Sequence, residues 1–383
     1  MKRITTLVST IGAGAAALTM GALPAGAAPG AQHGAGHPPR GVVFVQNDAV
    51  GGNTIVAYDR TRSGGLVRAG SYATGGKGGV LSGSVVDHLA SQGSLTYDAG
   101  AHLLLAVNAG SDSVTTFAVH GDRLVRRQTV GSGGQFPVSI ASHGGVVYVL
   151  NARHGGSITG YRLVGGRLVR VPAWHRALHL DTSAPGQPDE FTHTPGQVGF
   201  TPDGRTLLVA TKAGGNSIAA FAVGQHGLSA RPTVTSLPGA VPFGFTFDGR
   251  GHLALTEAGP SAVATFAVRA GGRLAALDSA ATGQAATCWI VETGGTLYAS
   301  NAGSGTLSVY RVGARGSLAS RGTVATDAGT VDAAASSDGR YVYVQTGAAG
   351  IVDAYRVHHD GSLTMTGSVT VPDAAGAEGI VAL

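Results

Sequence analysis

A short strand-like segment recurs through the chain and constrains the fold more than any other feature. Copies read "NTIVAYD", "SVTTFAV", "SITGYRL", "SIAAFAV", "AVATFAV", "TLSVYRV" and "IVDAYRV". Their first strand residues stand at Thr54, Ser113, Ser157, Ser217, Ala262, Thr306 and Ile351, at intervals of 59, 44, 60, 45, 44 and 45 residues. A base period near 45 residues is that of a four-stranded propeller blade. Within each period the order is constant: an inner segment such as "GSLTY", an apolar "HLLLAVN", the marker segment, and an outer "RLVRRQTV". Turns of the types "PDGR", "DGRG" and "VGGR" separate them, supplying the Gly and Asp that tight hairpins require.

Sixty-three glycines combined with 43% apolar residues fit many short strands, and no stretch sustains a 3.6-residue pattern. Alternation with period two is clearest in the marker strand. Seven markers predict an all-β, seven-bladed β-propeller of four-stranded blades over residues 41–383. The first copy, "GVVFVQN", lacks an inner strand, whereas "GAEGIVAL" is left over at the C-terminus. The simplest assembly lends that last strand to the first blade, which closes the ring and removes two exposed edges. The two long intervals place insertions near residues 73–92 and 173–194, both on the face that carries the loop after each second strand. Loops of this kind commonly carry function.

Ahead of the repeats, Lys2 and Arg3 precede an apolar stretch from Ile4 to about Leu23, followed by Ala25-Gly26-Ala27. This is the pattern of a secretory signal peptide over residues 1–27, and residues 28–40 read as a flexible leader. The sequence therefore predicts a secreted, extracellular protein without a membrane span. Removal of Lys2 and Arg3 leaves 24 basic against 21 acidic residues, too few and too scattered for a nucleic-acid partner. A single cysteine, Cys288, excludes an intramolecular disulfide and begins an apolar strand as buried filler.

The ends of the second strands carry Asn47, Asn108, Asn151, Lys212, Glu257, Asn301 and Thr346. As a ring around a central funnel, Asn47, Asn108, Asn151, Glu257 and Asn301 could bind a polar small molecule such as a sugar or lactone. Asparagine is also favoured in tight turns, where it caps its own loop. The second insertion concentrates His175, His179, Asp181, Asp189, Glu190 and His193, and the first holds Asp87 and His88. Such residues could supply a general base or hold a divalent metal, although H-x-x-x-H with no intervening glutamate is a weak metal pattern, and the expectation is no cofactor. No G-x-S-x-G nucleophile motif, phosphate loop or C-x-x-C pair occurs.

The repeat, with "PGQVGFTPDGRTLLVATKAGGNSIAAFAV" and "CWIVETGGTLYASNAGSGTLSVYRV", resembles the lactonase-type seven-bladed propellers, the family of bacterial 6-phosphogluconolactonase and fungal carboxymuconate cyclase. The likeness spans essentially residues 41–383. It implies hydrolysis of a sugar-derived or similar polar lactone by a monomer. In that reading His193 or Glu190 activates water and Lys212 stabilises the oxyanion. The second reading is a non-catalytic extracellular binding or scaffold propeller, favoured by the Asn-rich rim and by the missing histidine pair of the family, near which His193 stands in a different register.

Overall fold

The computed structural model describes residues 41–383; the expected signal peptide and leader lie outside the described residues. Among the described residues, strands form seven antiparallel sheets. The third strand of each begins at Thr54, Ser113, Ser157, Ser217, Ala262, Thr306 and Ile351, the residues marked by the repeat. Among the described residues, helix is confined to single turns such as Glu190–His193 and Lys212–Gly215. Two-residue hairpins turn on glycines in the left-handed region, as at Gly165 (φ 57°) and Gly166 (φ 77°).

The alternation in the third strand has a different cause from a buried face opposed to a wet one. In the second blade, Ser113 to Phe117 and Ala118 are all buried. Phe117 packs with Phe44 and Ile55 of the first blade, whereas Val114 and Ala118 pack with Val147 and Val149 of the third. Each blade is thus sandwiched between two others, and the period-two pattern assigns side chains to one neighbour or the other.

The recurring tyrosine belongs to the same seam. Tyr161 donates its hydroxyl to Gly131 O (2.6 Å), Tyr310 to Ala281 O (3.3 Å) and Tyr355 to Ala325 O (2.7 Å). Each acceptor is the last residue of the preceding blade's outer strand.

The C-terminal strand Ile380–Ala382 pairs antiparallel with Val42–Gln46, in register Val43 with Ala382 and Val45 with Ile380. It serves as the inner strand of the first blade and closes the ring. The first insertion then crosses the axis. His88 N donates to Gly376 O (2.7 Å), Ser91 Oγ to Val138 O (2.9 Å), Gln92 N to Gly196 O (3.0 Å) and Gln92 Nε2 to Ile290 O (2.9 Å). Residues 88–92 reach the third, fourth and sixth blades and the closing segment, and only a segment lying over the centre can do so. The opening expected at this rim is therefore filled by the chain itself.

Four buried carboxylates, Asp48, Asp87, Asp332 and Glu378, surround this crossing. Glu378 N donates to Asp48 Oδ2 (3.0 Å), Leu89 N and Ser91 N to Asp87 (2.8 and 2.9 Å), and Ser94 N to Glu378 Oε1 (3.3 Å). Burial pushes Asp48 and Asp332 up to about 7 and Asp87 up to about 6, and raises Glu378 well above the carboxylate range, with mutual repulsion adding to the effect.

Two predictions follow from the seam and from this cluster. Tyr355→Phe leaves the Ala325 carbonyl without its hydroxyl donor and lowers stability by about 1–3 kcal/mol, read by chemical denaturation. A carboxylate whose pKa is raised on folding binds more protons folded than unfolded. Its contribution is therefore complete below about pH 4 and is lost as pH rises through 6 to 7. Lys212, pulled down to about 7 by burial, is protonated in both states through most of that window, and its loss of a proton in the folded state near pH 7 opposes the trend only at the upper end. The thermal midpoint should be higher at pH 5 than at pH 7, and Asp332→Asn should flatten the difference.

Candidate functional site

The rim asparagines are engaged within the fold. Asn47 Oδ1 accepts Thr54 N (2.9 Å), and its Nδ2 donates to Pro372 O (3.3 Å). Asn108 donates to Thr115 Oγ1 (3.0 Å) and accepts from Asn53 Nδ2 (3.1 Å). Asn301 donates to Ser308 Oγ (3.0 Å) and accepts from Thr287 Oγ1 (2.6 Å). Asn151 Nδ2 donates to Ser157 Oγ (3.4 Å). All four are buried, and each ties the end of a second strand to the loop or strand that follows it. Glu257 ends the fifth blade's second strand beside a shallow depression lined by residues 236–240 and Pro260, where partial burial raises its pKa.

Lys212 departs from this pattern in backbone as well as in charge: it adopts a left-handed conformation (φ 44°) at the start of its helical turn and is fully buried. Its ammonium donates to Ala90 O (2.6 Å), Phe191 O (2.5 Å) and Thr194 Oγ1 (3.0 Å), and lies 5.2 Å from the centre of the Phe243 ring. Three protons meet three acceptors, one on the first insertion and two on the second. Burial lowers its pKa to about 7, opposed by the attraction of Asp87 and Cys288.

Glu190 is enclosed by both insertions. Its carboxylate accepts from Arg153 Nε (2.6 Å), Ser82 N (2.9 Å) and Gly186 N (3.4 Å). Burial acts to raise its pKa, but these donors outweigh it and hold the group below the usual glutamate range. His193 turns Nδ1 toward Asp189 (3.6 Å to Oδ2) and Thr192 (3.0 Å to Oγ1) and is about 30% exposed. The turn bearing it packs on that of Lys212, so Glu190, His193 and Lys212 share one region while their side chains end on different partners. His175 faces Thr159 (3.3 Å), and the backbone N of Asp181 donates to Gly214 O (2.9 Å). Among the described residues, no three His, Cys, Asp or Glu side chains are placed to hold a metal ion.

Between the insertions and the inner strands of the fifth and sixth blades lies a cavity of about 280 Å³, lined by Val86, Asp87, Ala90, Phe191, Phe243 and Trp289, with Ser84 and Val85 at the first insertion and Ala286, Ala302 and Gly303 opposite. Phe243 and Trp289 meet edge to face with centroids 4.9 Å apart. Trp289 Nε1 donates to Ser91 O (2.6 Å), fixing the ring against the crossing segment. Among the described residues, Asp87 is the one ionisable side chain in this lining. The aromatic pair went unread in the sequence because its placement depends on bulges. The pairing of inner and second strands shifts between Pro242 and Phe245 and again between Thr287 and Trp289, re-aiming the first residues of both inner strands.

The family described as lactonase, seven-bladed β-propeller matches residues 254–378. No curated protein matches the chain. Among solved structures, the periplasmic gluconolactonase of Pseudomonas aeruginosa is similar with TM-score 0.69 and 19% identity, over 88% of this chain and 97% of that one. A Bacteroides fragilis protein provisionally named a 6-phosphogluconolactonase gives 0.67 and 19%, over 90% and 98%. A Lactobacillus plantarum protein gives 0.71 and 20%, over 90% and 99%. These identities bear on the fold. The family match over residues 254–378 is a likeness to the lactonase-type seven-bladed β-propellers, and the solved structures share this chain's architecture over most of its length.

Proposed function

We propose that the chain is an exported lactone hydrolase working in the cavity between its two insertions. The observation that carries this reading is the position of Asp87, a carboxyl in an otherwise apolar pocket with its pKa raised by burial to about 6. A base poised near neutrality can take a proton from water while remaining largely ionised at pH 7. Water adds to the lactone carbonyl as Asp87 takes its proton. The tetrahedral oxyanion collapses with cleavage of the acyl bond to the ring oxygen, and the proton passes to that oxygen to give the hydroxy acid.

Lys212 commits its protons to Ala90 O, Phe191 O and Thr194 Oγ1, so it acts on the oxyanion through its field and positions two lining residues. Glu190 holds the two insertions together rather than meeting the substrate. His193, turned toward Asp189 and Thr192, does not line the cavity, so Asp87 itself returns the proton to the leaving oxygen. The alternative, a binding propeller without turnover, draws support from the engaged rim asparagines. Export is supported by the N-terminal sequence pattern.

On this reading kcat/KM for a hydrolysed lactone rises with pH through about 6 as Asp87 ionises and falls above about 7 as Lys212 loses its charge. Asp87→Asn should remove the rising limb and lower the rate about 10²–10⁴-fold. A profile unchanged by that substitution, in protein whose fold circular dichroism shows to be intact, rules out Asp87 as the base. Saturable lactone binding without turnover by the wild type would favour the binding propeller. Intact mass of protein recovered from the medium should correspond to a chain beginning near Ala28.

A further inference from the structure

The cavity also carries information about what enters it. We infer that its substrate is an uncharged lactone with an apolar or aromatic face and without a phosphate group. This rests on the hydrolytic reading above and narrows it.

An anionic substituent would find nothing to neutralise it here. Among the described residues, no Lys, Arg or His side chain lines the cavity. The cation beneath it, Lys212, has its protons committed to Ala90 O, Phe191 O and Thr194 Oγ1. Arg153, in the loop after the third blade's second strand, is bound to Glu190 of the second insertion (2.6 Å) and lies over the Phe136 ring (4.5 Å). Asp87, ionised for catalysis, would meet a phosphate with like charge, and desolvating a phosphate without a paired cation is strongly unfavourable.

An apolar ring, by contrast, finds complementary walls. Phe243 and Trp289 present one tilted aromatic surface, Val86 and Ala302 pack against the same cluster, and Val85 is left 82% exposed at the lip. A lone exposed valine is ordinary, but one at the mouth of an aromatic pocket extends its apolar surface. The volume, about 280 Å³, is just under the range of drug-sized sites and suits one or two fused rings. The polar end of such a ligand, its ester carbonyl, is then the part that faces Asp87.

Dihydrocoumarin, glucono-δ-lactone and its 6-phosphate distinguish the possibilities when offered to the full-length mature protein. The expected result is kcat/KM at least about tenfold higher for dihydrocoumarin than for the 6-phosphate, with saturable quenching of tryptophan fluorescence. Phe243→Ala should raise KM for dihydrocoumarin about tenfold, the equivalent of about 1.4 kcal/mol of binding. Because Phe243 is part of the interior, Val85→Ser at the exposed lip provides a variant without a folding penalty and should raise the same KM by a factor of about two to five.

Preferential turnover of the phosphorylated lactone overturns the inference while leaving hydrolysis intact. A dihydrocoumarin KM unmoved in both variants also overturns it. Dihydrocoumarin quenching that is lost in Phe243→Ala, without turnover of any lactone, sustains the ligand class and removes the hydrolytic reading.

Discussion

The antiparallel pairing of Ile380–Ala382 with Val43–Val45 is the interaction on which the remaining architecture depends. A ring of sheets has no free edge only while its first and last blades are joined, and here three residues from the far end of the chain make that join. The closing segment is also where the interior is most polar. Glu378 precedes the strand, Asp48 follows its partner, and the backbone N of one donates to the carboxylate of the other (3.0 Å). Closure and the burial of acid groups are consequently one event, and the stability of the ring is tied to how many of those groups hold protons.

The first insertion turns a ring into a surface with a site. A central opening lined by second-strand ends would present the rim asparagines to solvent. Residues 88–92 instead bridge the third, fourth and sixth blades and the closing segment, covering that opening. The accessible concavity is displaced from the axis to the ground between the two insertions and the inner strands beginning at Pro242 and Thr287. Lys212 is the pin for this arrangement. One ammonium spans Ala90 of the first insertion and Phe191 and Thr194 of the second, and it also faces the Phe243 ring. Leaving the two carbonyls unpaired would cost the fold the desolvation of buried acceptors.

How much of this could be read from the sequence divides along the range of the interactions involved. The blades repeat because each meets the same two neighbours, so local patterning reports them, and all seven marker residues begin third strands. Ring closure was legible for the same reason: an inner strand was missing at one end and surplus at the other. Lys212 stood out as a charge in a row of amides. The crossing of the axis was not legible, because Gln92 finds Ile290, and Trp289 finds Ser91, about two hundred residues apart, through contacts that no period encodes. The aromatic pair was hidden likewise, since bulges that aim Phe243 and Trp289 leave no mark beyond the residues themselves.

The asparagines and the acids illustrate how two kinds of side chain meet the same need for partners to backbone groups. At Asn108 and Asn301 an amide both donates and accepts, so each satisfies a strand end with no ionisable group and no dependence on pH. Where the repeat is broken by the insertions, the interior must accept backbone groups arriving from an irregular segment, and a carboxylate does this with more capacity: Asp87 takes both Leu89 N and Ser91 N. That capacity comes with a proton equilibrium, which burial shifts toward neutrality. On the proposed reading, the chemistry of this propeller arises where its regular hydrogen bonding gives way, at an acidic residue that holds a loop beside a cavity.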